Sequence, residues 1–176
     1  MVAAEDFSTT PSAYADDVSD SDLLHGLTPV TTGWGVRGNT HDPKQLTDGI
    51  HGAVPRASAY TTVGATAEYH LGTGAKGLGY DITSIQSIAD WNGAGYGNQA
   101  WTVEVKPVDG DYRILHTVNH QPLSSRGGAT KVVLTDKSGV LASGIESIKV
   151  TAGHIAGSAS NDFKWRELDV FGVPTD

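Results

Sequence analysis

The chain contains no cysteine, which excludes disulfide frameworks, zinc–thiolate sites, iron–sulfur clusters and thiol catalysis. Positive charge is scarce: 12 Lys and Arg stand against 20 Asp and Glu, for a net charge of −8. Nucleic-acid and anionic-membrane affinities come largely from neutralising phosphates, so the missing basic patch argues against both kinds of partner. No apolar run approaches the roughly 18 residues of a membrane span, and membrane insertion is not expected. The Met1-Val-Ala-Ala-Glu5 start has neither a charged n-region nor an apolar h-region, so a signal peptide, if the protein is exported, is expected to be absent from this chain. Sustained helical stripes with start and stop signals are missing as well, which leaves room for at most a short helical turn near Ser21 to His25.

What remains is glycine and alternation. The 176 residues include 22 Gly, a turn-rich composition in a chain long enough for one domain with a proper core. Residues 1–22 hold Glu5, Asp6, Asp16, Asp17, Asp20 and Asp22 with no base and few large apolar groups. That stretch reads as an acidic, flexible arm or linker, with the folded domain in residues 23–176. Beyond it, Trp101, Val103 and Val105 alternate with polar residues, Pro107 to Asp111 supplies turn chemistry, and Tyr112, Ile114, His116 and Val118 alternate again. This is a hairpin pattern. Further strands fit Ala59 to Val63, Thr66 to Leu71, Lys131 to Leu134, Ile145 to Thr151 and Arg166 to Phe171. Ile82, Ile85 and Ile88 recur every third residue, as a helix face or a bulged strand would, and their β-branching favours the strand. The whole predicts an all-β antiparallel sandwich or barrel of about eight strands, with the sandwich preferred.

Familiar catalytic signatures fail in context. Gly72-Thr-Gly-Ala-Lys-Gly77 matches a dinucleotide fingerprint, but a strand follows it where a helix N-terminus is needed, so it reads as a turn. His116 and His120 have a helical metal spacing on a predicted strand and turn, and read as surface histidines. The Asp16 to Asp22 run lacks the glycine and terminal glutamate of a calcium loop. Glycoside hydrolysis needs two carboxylates converging in a cleft, and the only marked pair is Asp81 with Asp90. The chain is therefore read as a non-enzyme.

Leu46-Thr-Asp-Gly-Ile50, Glu68-Tyr-His-Leu-Gly72, Ile145 to Val150 and Trp165-Arg-Glu-Leu-Asp-Val-Phe-Gly172 follow one another in an order and spacing that resembles the galactose-binding-like domains. That family includes discoidin domains and the family 32 carbohydrate-binding modules, and the layout is most similar to domains of exported bacterial proteins. The resemblance implies an antiparallel jelly-roll β-sandwich and a secreted or cell-surface location, with other domains of a larger exported protein as further partners. It also implies one calcium ion between the early Asp loop and the late Glu. Asp48 and Glu167 are the implied charged ligands, with carbonyls from near Gln45 and His51 and from Arg166, in keeping with the oxygen-rich shell calcium requires. The alternative is that Asp48 only forms an Asx turn while Glu167 pairs with a base.

Sugar recognition needs an aromatic face and planar polar groups in reach of adjacent hydroxyls. The Gly-rich loop carrying Trp91, Asn92, Tyr96, Asn98 and Gln99 offers both. The segment from His154 to Trp165, with Asn161, Asp162 and Lys164, and Trp34 beside Arg37 are further candidates. The leading expectation is a noncatalytic module that binds a glycan or polysaccharide. The rival is a protein-interaction or adhesion domain of the same fold, since fold does not fix function.

Overall fold

A computed structural model describes residues 1–34, 42–52, 59–93, 95–124, 126–156 and 163–176, apart from the side chains of 59–61, 126 and 163. Ten strands run through them: β1 (Val2–Ser8), β2 (Val30–Thr32), β3 (Ala59–Thr61), β4 (Thr66–His70), β5 (Tyr80–Gly93), β6 (Gln99–Pro107), β7 (Arg113–His120), β8 (Arg126–Thr135), β9 (Ala142–Ala152) and β10 (Phe163–Pro174). Every pairing among them is antiparallel. The order β1-β8-β5-β10-β3 makes one layer and β7-β6-β9-β4-β2 the other. They touch as one hydrogen-bonded surface only where the start of β5 meets β9, at Tyr80 with Ile145 and Ile82 with Ala142. This is the expected all-β jelly-roll sandwich. The helical turn foreseen near Ser21 is a plain turn, and the 3-10 turns lie at Ala15–Asp17 and Pro43–Leu46.

Period-two alternation explains most of the core. Trp101, Val103 and Val105 of β6 lie beside Ile145, Ile148 and Val150 of β9 and pack with Leu168 and Val170 of β10 in one buried cluster. The isoleucine triplet is a strand with a bulge: the β5–β10 register shifts between Phe171 and Gly172, opposite Ser84 and Ile82. The shift lets Ile82 and Ile85 both enter the main core, while Ile88 points to the opposite side. The glycine fingerprint at Gly72 to Gly77 forms the turn between β4 and β5, with Gly72, Gly74 and Gly77 at positive φ.

Residues 1–22 are not a loose arm. β1 pairs along its whole length with β8, from Val2 opposite Thr135 to Ser8 opposite Ala129. The chain then crosses the outer face of the first layer, where Tyr14 and Val18 cover Ile88 and Ala129. Ser12 N donates to Asp90 Oδ2 at 2.5 Å, Gln86 Nε2 donates to the Asp17 carbonyl at 2.6 Å, and Lys131 pairs with Asp17 at 2.7 Å. Composition registers side-chain burial alone. The open edge of β8 supplies backbone hydrogen bonds, and lysine on β8 balances the acidic strap.

Between the layers lies a polar knot. Gln99 Oε1 accepts from Ser87 Oγ at 2.6 Å and from Trp101 Nε1 at 3.0 Å, and Gln99 Nε2 donates to the carbonyl and hydroxyl of Thr130, both at 2.9 Å. Trp165 Nε1 donates to Ser87 Oγ at 2.7 Å, and the Trp101 and Trp165 rings sit 5.6 Å apart. Each member is buried and each is satisfied by another. Gln99→Leu keeps the size and removes the amide, so it strands the Trp101 N–H in the core. Urea denaturation is expected to show a loss of about 3 kcal/mol with an unchanged m-value, the scale of a stranded buried donor plus lost bonds. A loss below about 1 kcal/mol would mean that the knot contributes little.

Candidate functional site

Two groups of residues named from the sequence come together, one at the β5–β6 loop and one beside β10. At the loop, Trp91 near the end of β5 is half-buried, Asn92 is exposed and Tyr96 is half-buried. Gly95 at φ 68° and Gly97, where a Cβ would lie 2.2 Å from the Gly128 carbonyl oxygen, let this loop fold down on the start of β8. Lys164 of β10, only 6% exposed, reaches between the two aromatic residues. Its ammonium lies 5.1 Å from the Trp91 ring centroid and 5.5 Å from that of Tyr96, and the Arg166 guanidinium stands 5.8 Å from Trp91. Lys164 N also donates to the Tyr96 carbonyl at 2.8 Å. Cation–π attraction of this kind is worth about 0.5–2 kcal/mol and holds the rings as a pair.

Behind the platform, Asp90 is fully buried. It faces His51 Nε2 at 3.2 Å and Arg166 Nη2 at 4.0 Å, and it accepts the Ser12 N–H from the strap. Asp81, its partner in the glycosidase alternative, stands nine residues away at the other end of the same strand, about 30 Å along it at the usual rise. The two carboxylates do not converge. Asp81 is occupied by Ser143, Thr175 and the Gly144 N–H.

Asn98 and Gln99 work inward. Asn98 Nδ2 donates to the Leu123 carbonyl and its Oδ1 accepts the Leu123 N–H, both at 2.8 Å, while Gln99 belongs to the core knot. Both are buried, so the polar groups that this loop turns outward are not theirs. Of the other candidates, Asn161 and Asp162 and Arg37 lie outside the described residues, and Trp34 is partly buried against the core.

The second group is acidic. Glu167 is fully buried; its Oε1 accepts the Gly49 N–H at 3.1 Å, and its Oε2 has no hydrogen-bond partner among the described residues. Asp48 does form the Asx turn, with Oδ1 accepting from Ile50 N at 3.0 Å, in the same loop that reaches Glu167. Gln45 Oε1 and Asp22 Oδ2 are likewise buried with no hydrogen-bond partner among the described residues. Asp22 was not singled out from the sequence; its Oδ1 caps Leu24 N and Val170 N, which fixes the strap to β10. Burial, reinforced by the charges of Asp169, Asp48 and Asp22, pushes the Glu167 carboxyl up to about 10. Burial lifts Asp169 to about 7 and raises Asp48 and Asp22. The backbone oxygens named with them differ in surroundings: the His51 carbonyl faces Arg166 Nη1 at 3.5 Å. Among the described residues no three His, Asp or Glu side chains are placed to hold a metal by themselves, so a cation here needs carbonyl oxygens as well.

No protein-family model and no curated sequence matches the chain. Solved structures do. The module CpGH89CBM32-5 from Clostridium perfringens, in complex with GalNAc-β-1,3-galactose, is 17% identical over 86% of this chain and 99% of that one, with a TM-score of 0.57. The family 32 module of Clostridium perfringens NanJ, in complex with galactose, is 16% identical over 82% of this chain and 92% of that one, with a TM-score of 0.53. The lectin domain of lectinolysin, complexed with Lewis B antigen, is 9% identical over 88% of this chain and 98% of that one, with a TM-score of 0.57. The chain has the fold of a family 32 carbohydrate-binding module.

In this module fold the strand ends that carry Trp91, Tyr96 and Lys164 form one loop-bearing end of the sandwich, and the acidic group lies to its side between the Leu46 to Gly52 loop and β10. Lys164 was named from the sequence as part of the separate His154 to Trp165 segment; that it joins the Trp91 loop had no local signal, because its partners are more than 60 positions away in sequence. The raised carboxyls have a measurable consequence in metal-free protein. Folded Glu167 and Asp169 hold protons that the unfolded chain releases near pH 4 to 4.5, so stability falls as pH rises through that range and beyond. Melting temperature in chelator is expected to drop from pH 5 to pH 8, and Glu167→Gln, which cannot ionise, to flatten the slope. A melting temperature that climbs over this interval contradicts the burial of these carboxyls as acids.

Proposed function

We propose that the chain is a noncatalytic carbohydrate-binding module, acting at the surface of or outside a bacterial cell, with the Trp91–Tyr96 platform as its sugar contact. The observation that carries the reading is two half-buried aromatic rings held by one buried ammonium at the loop end of a sandwich. Aromatic faces pack on the C–H side of a pyranose, while Asn92, exposed beside them, offers an amide to adjacent hydroxyls. The fold is shared with modules whose described complexes contain galactose, GalNAc-β-1,3-galactose and Lewis B antigen, which makes terminal galactose-type sugars the first ligands to try. A shallow platform of this size binds weakly, on the order of micromolar to millimolar, because a small contact must offset lost rotation and translation.

Calcium belongs to the same proposal. The buried Glu167 oxygen without a partner, the neighbouring unpartnered Gln45 and Asp22 oxygens and the raised carboxyls fit a hard cation. Glu167 and Asp48 would supply the charge, joined by carbonyl oxygens near Gln45 and His51 and at Arg166. A bound cation would tie the Asp48 loop to β10 and remove the need to protonate Glu167.

Titration calorimetry with galactose and N-acetylgalactosamine is expected to show binding by the wild type and a loss of about tenfold or more in Tyr96→Ala, since affinity concentrates on aromatic anchors. Equal affinity in the two proteins overturns the platform. Excess calcium is expected to raise the melting temperature by mass action, and Asp48→Ala and Glu167→Ala each to abolish the rise. Identical curves in calcium and in chelator overturn the cation.

A further inference from the structure

The upper ends of β6, β7 and β9 enclose a groove of about 400 Å³ that none of the platform residues lines. Small-molecule sites span roughly 300–1,000 Å³, so it is large enough for a ligand. Its floor is low because Gly153 lies against Ala100: Gly153 N donates to the Ala100 carbonyl at 2.6 Å, and a Cβ on Gly153 would stand 3.0 Å from the Ala100 Cβ. The Ala100 methyl and the Gly153 carbon supply the apolar part of the floor, beside the backbone at Trp101 and Val118, whose side chains turn the other way into the core.

The rim is polar and fixed. Gln121 Nε2 donates to Asn119 Oδ1 at 2.5 Å and to the His154 carbonyl at 3.0 Å, while its Oε1 accepts from Ala156 N at 2.8 Å. The end of β7 is thereby strapped to the turn after β9. Asn119 uses its oxygen on Gln121 and keeps two amide hydrogens as donors. Thr102 and Thr117 place their hydroxyls 3.1 Å apart across the β6–β7 pair, which leaves acceptor lone pairs and one O–H. His154 is exposed at the mouth. Among the described residues no acidic or basic side chain other than this imidazole lines the groove.

We propose that this groove is a second binding subsite, for an uncharged saccharide ring, separate from the Trp91–Tyr96 platform. Spaced donors and acceptors around an apolar floor suit adjacent hydroxyls over a C–H face, and the lack of charge disfavours anionic ligands. The choice of a saccharide rests on the carbohydrate-binding reading; the existence of the subsite does not. The rim is held by hydrogen bonds already made in the free protein, so ordering it costs a ligand little.

Amide-resolved NMR titration of the whole chain with galactose, N-acetylgalactosamine and fucose, each to saturation in the millimolar range, tests it. Shifts are expected at Ala100 to Thr102, Thr117 to Gln121 and Gly153 to His154, undiminished in Tyr96→Ala. Asn119→Leu combined with His154→Ala is expected to weaken these shifts about tenfold and to leave those at Trp91 to Gly97 intact. Groove shifts with a silent platform support the subsite and contradict the platform. Platform shifts with a silent groove, silence at both, or groove shifts that survive the double variant overturn the subsite.

Discussion

The Gln99 side chain joins the two layers of this sandwich, and much else hangs on it. Its amide takes hydrogen bonds from or gives them to β5, β6 and β8, and through Ser87 it reaches Trp165 on β10. An amide in an apolar core is costly unless every lone pair and hydrogen is matched, and here the match fixes a single arrangement of four strands. It also sets the base of the functional end. Gln99 closes the loop that bears Tyr96, and Trp165 sits between Lys164 and Arg166, the two cations at the Trp91 ring.

The outer face of the first layer tells a related story with charge. β5 and β10 turn Asp90, Arg166, Glu167 and Asp169 outward; the strap from Ser8 to Asp22 covers Asp90 and Asp169, and the Leu46 to Gly52 loop meets Arg166 and Glu167. Asp90 has His51, Arg166 and a backbone N–H for company. Glu167 has one N–H and three acidic neighbours. Arg166 lies beside the first carboxyl within the chain, while the second, raised by burial, keeps a proton unless the proposed cation takes its place. The proposed sugar platform and the proposed calcium position thus share β10: Lys164 and Arg166 serve one, and Glu167, after the bulge, serves the other.

Legibility in the sequence followed the range of the interactions. Strand identity was plain where alternation is local, as in β6 and β7; the approach of the Asp48 loop to Glu167 was implied by the family resemblance alone, and the Gly49 N–H makes a contact between them. The role of residues 1–22 was hidden, because an edge strand gains its stability from a partner's backbone and leaves little mark in its own composition. Asn98 and Gln99 read as loop polarity in a Gly-rich stretch, yet both turn inward, since a polar residue beside a loop looks the same whether it serves a ligand or the core. Asp22 was hidden in the acidic run of residues 1–22, and only the position of Val170 shows it as a tie to β10. The segments around Arg37 and Asn161 lie outside the described residues.

Binding itself is measured most directly by a glycan array probed with the whole chain, once in calcium and once in chelator. Retention on a narrow set of terminal galactose-type sugars, stronger in calcium, is the expected result. An array on which no glycan retains the chain in either condition would contradict the carbohydrate-binding role and favour a protein-interaction domain on the same fold.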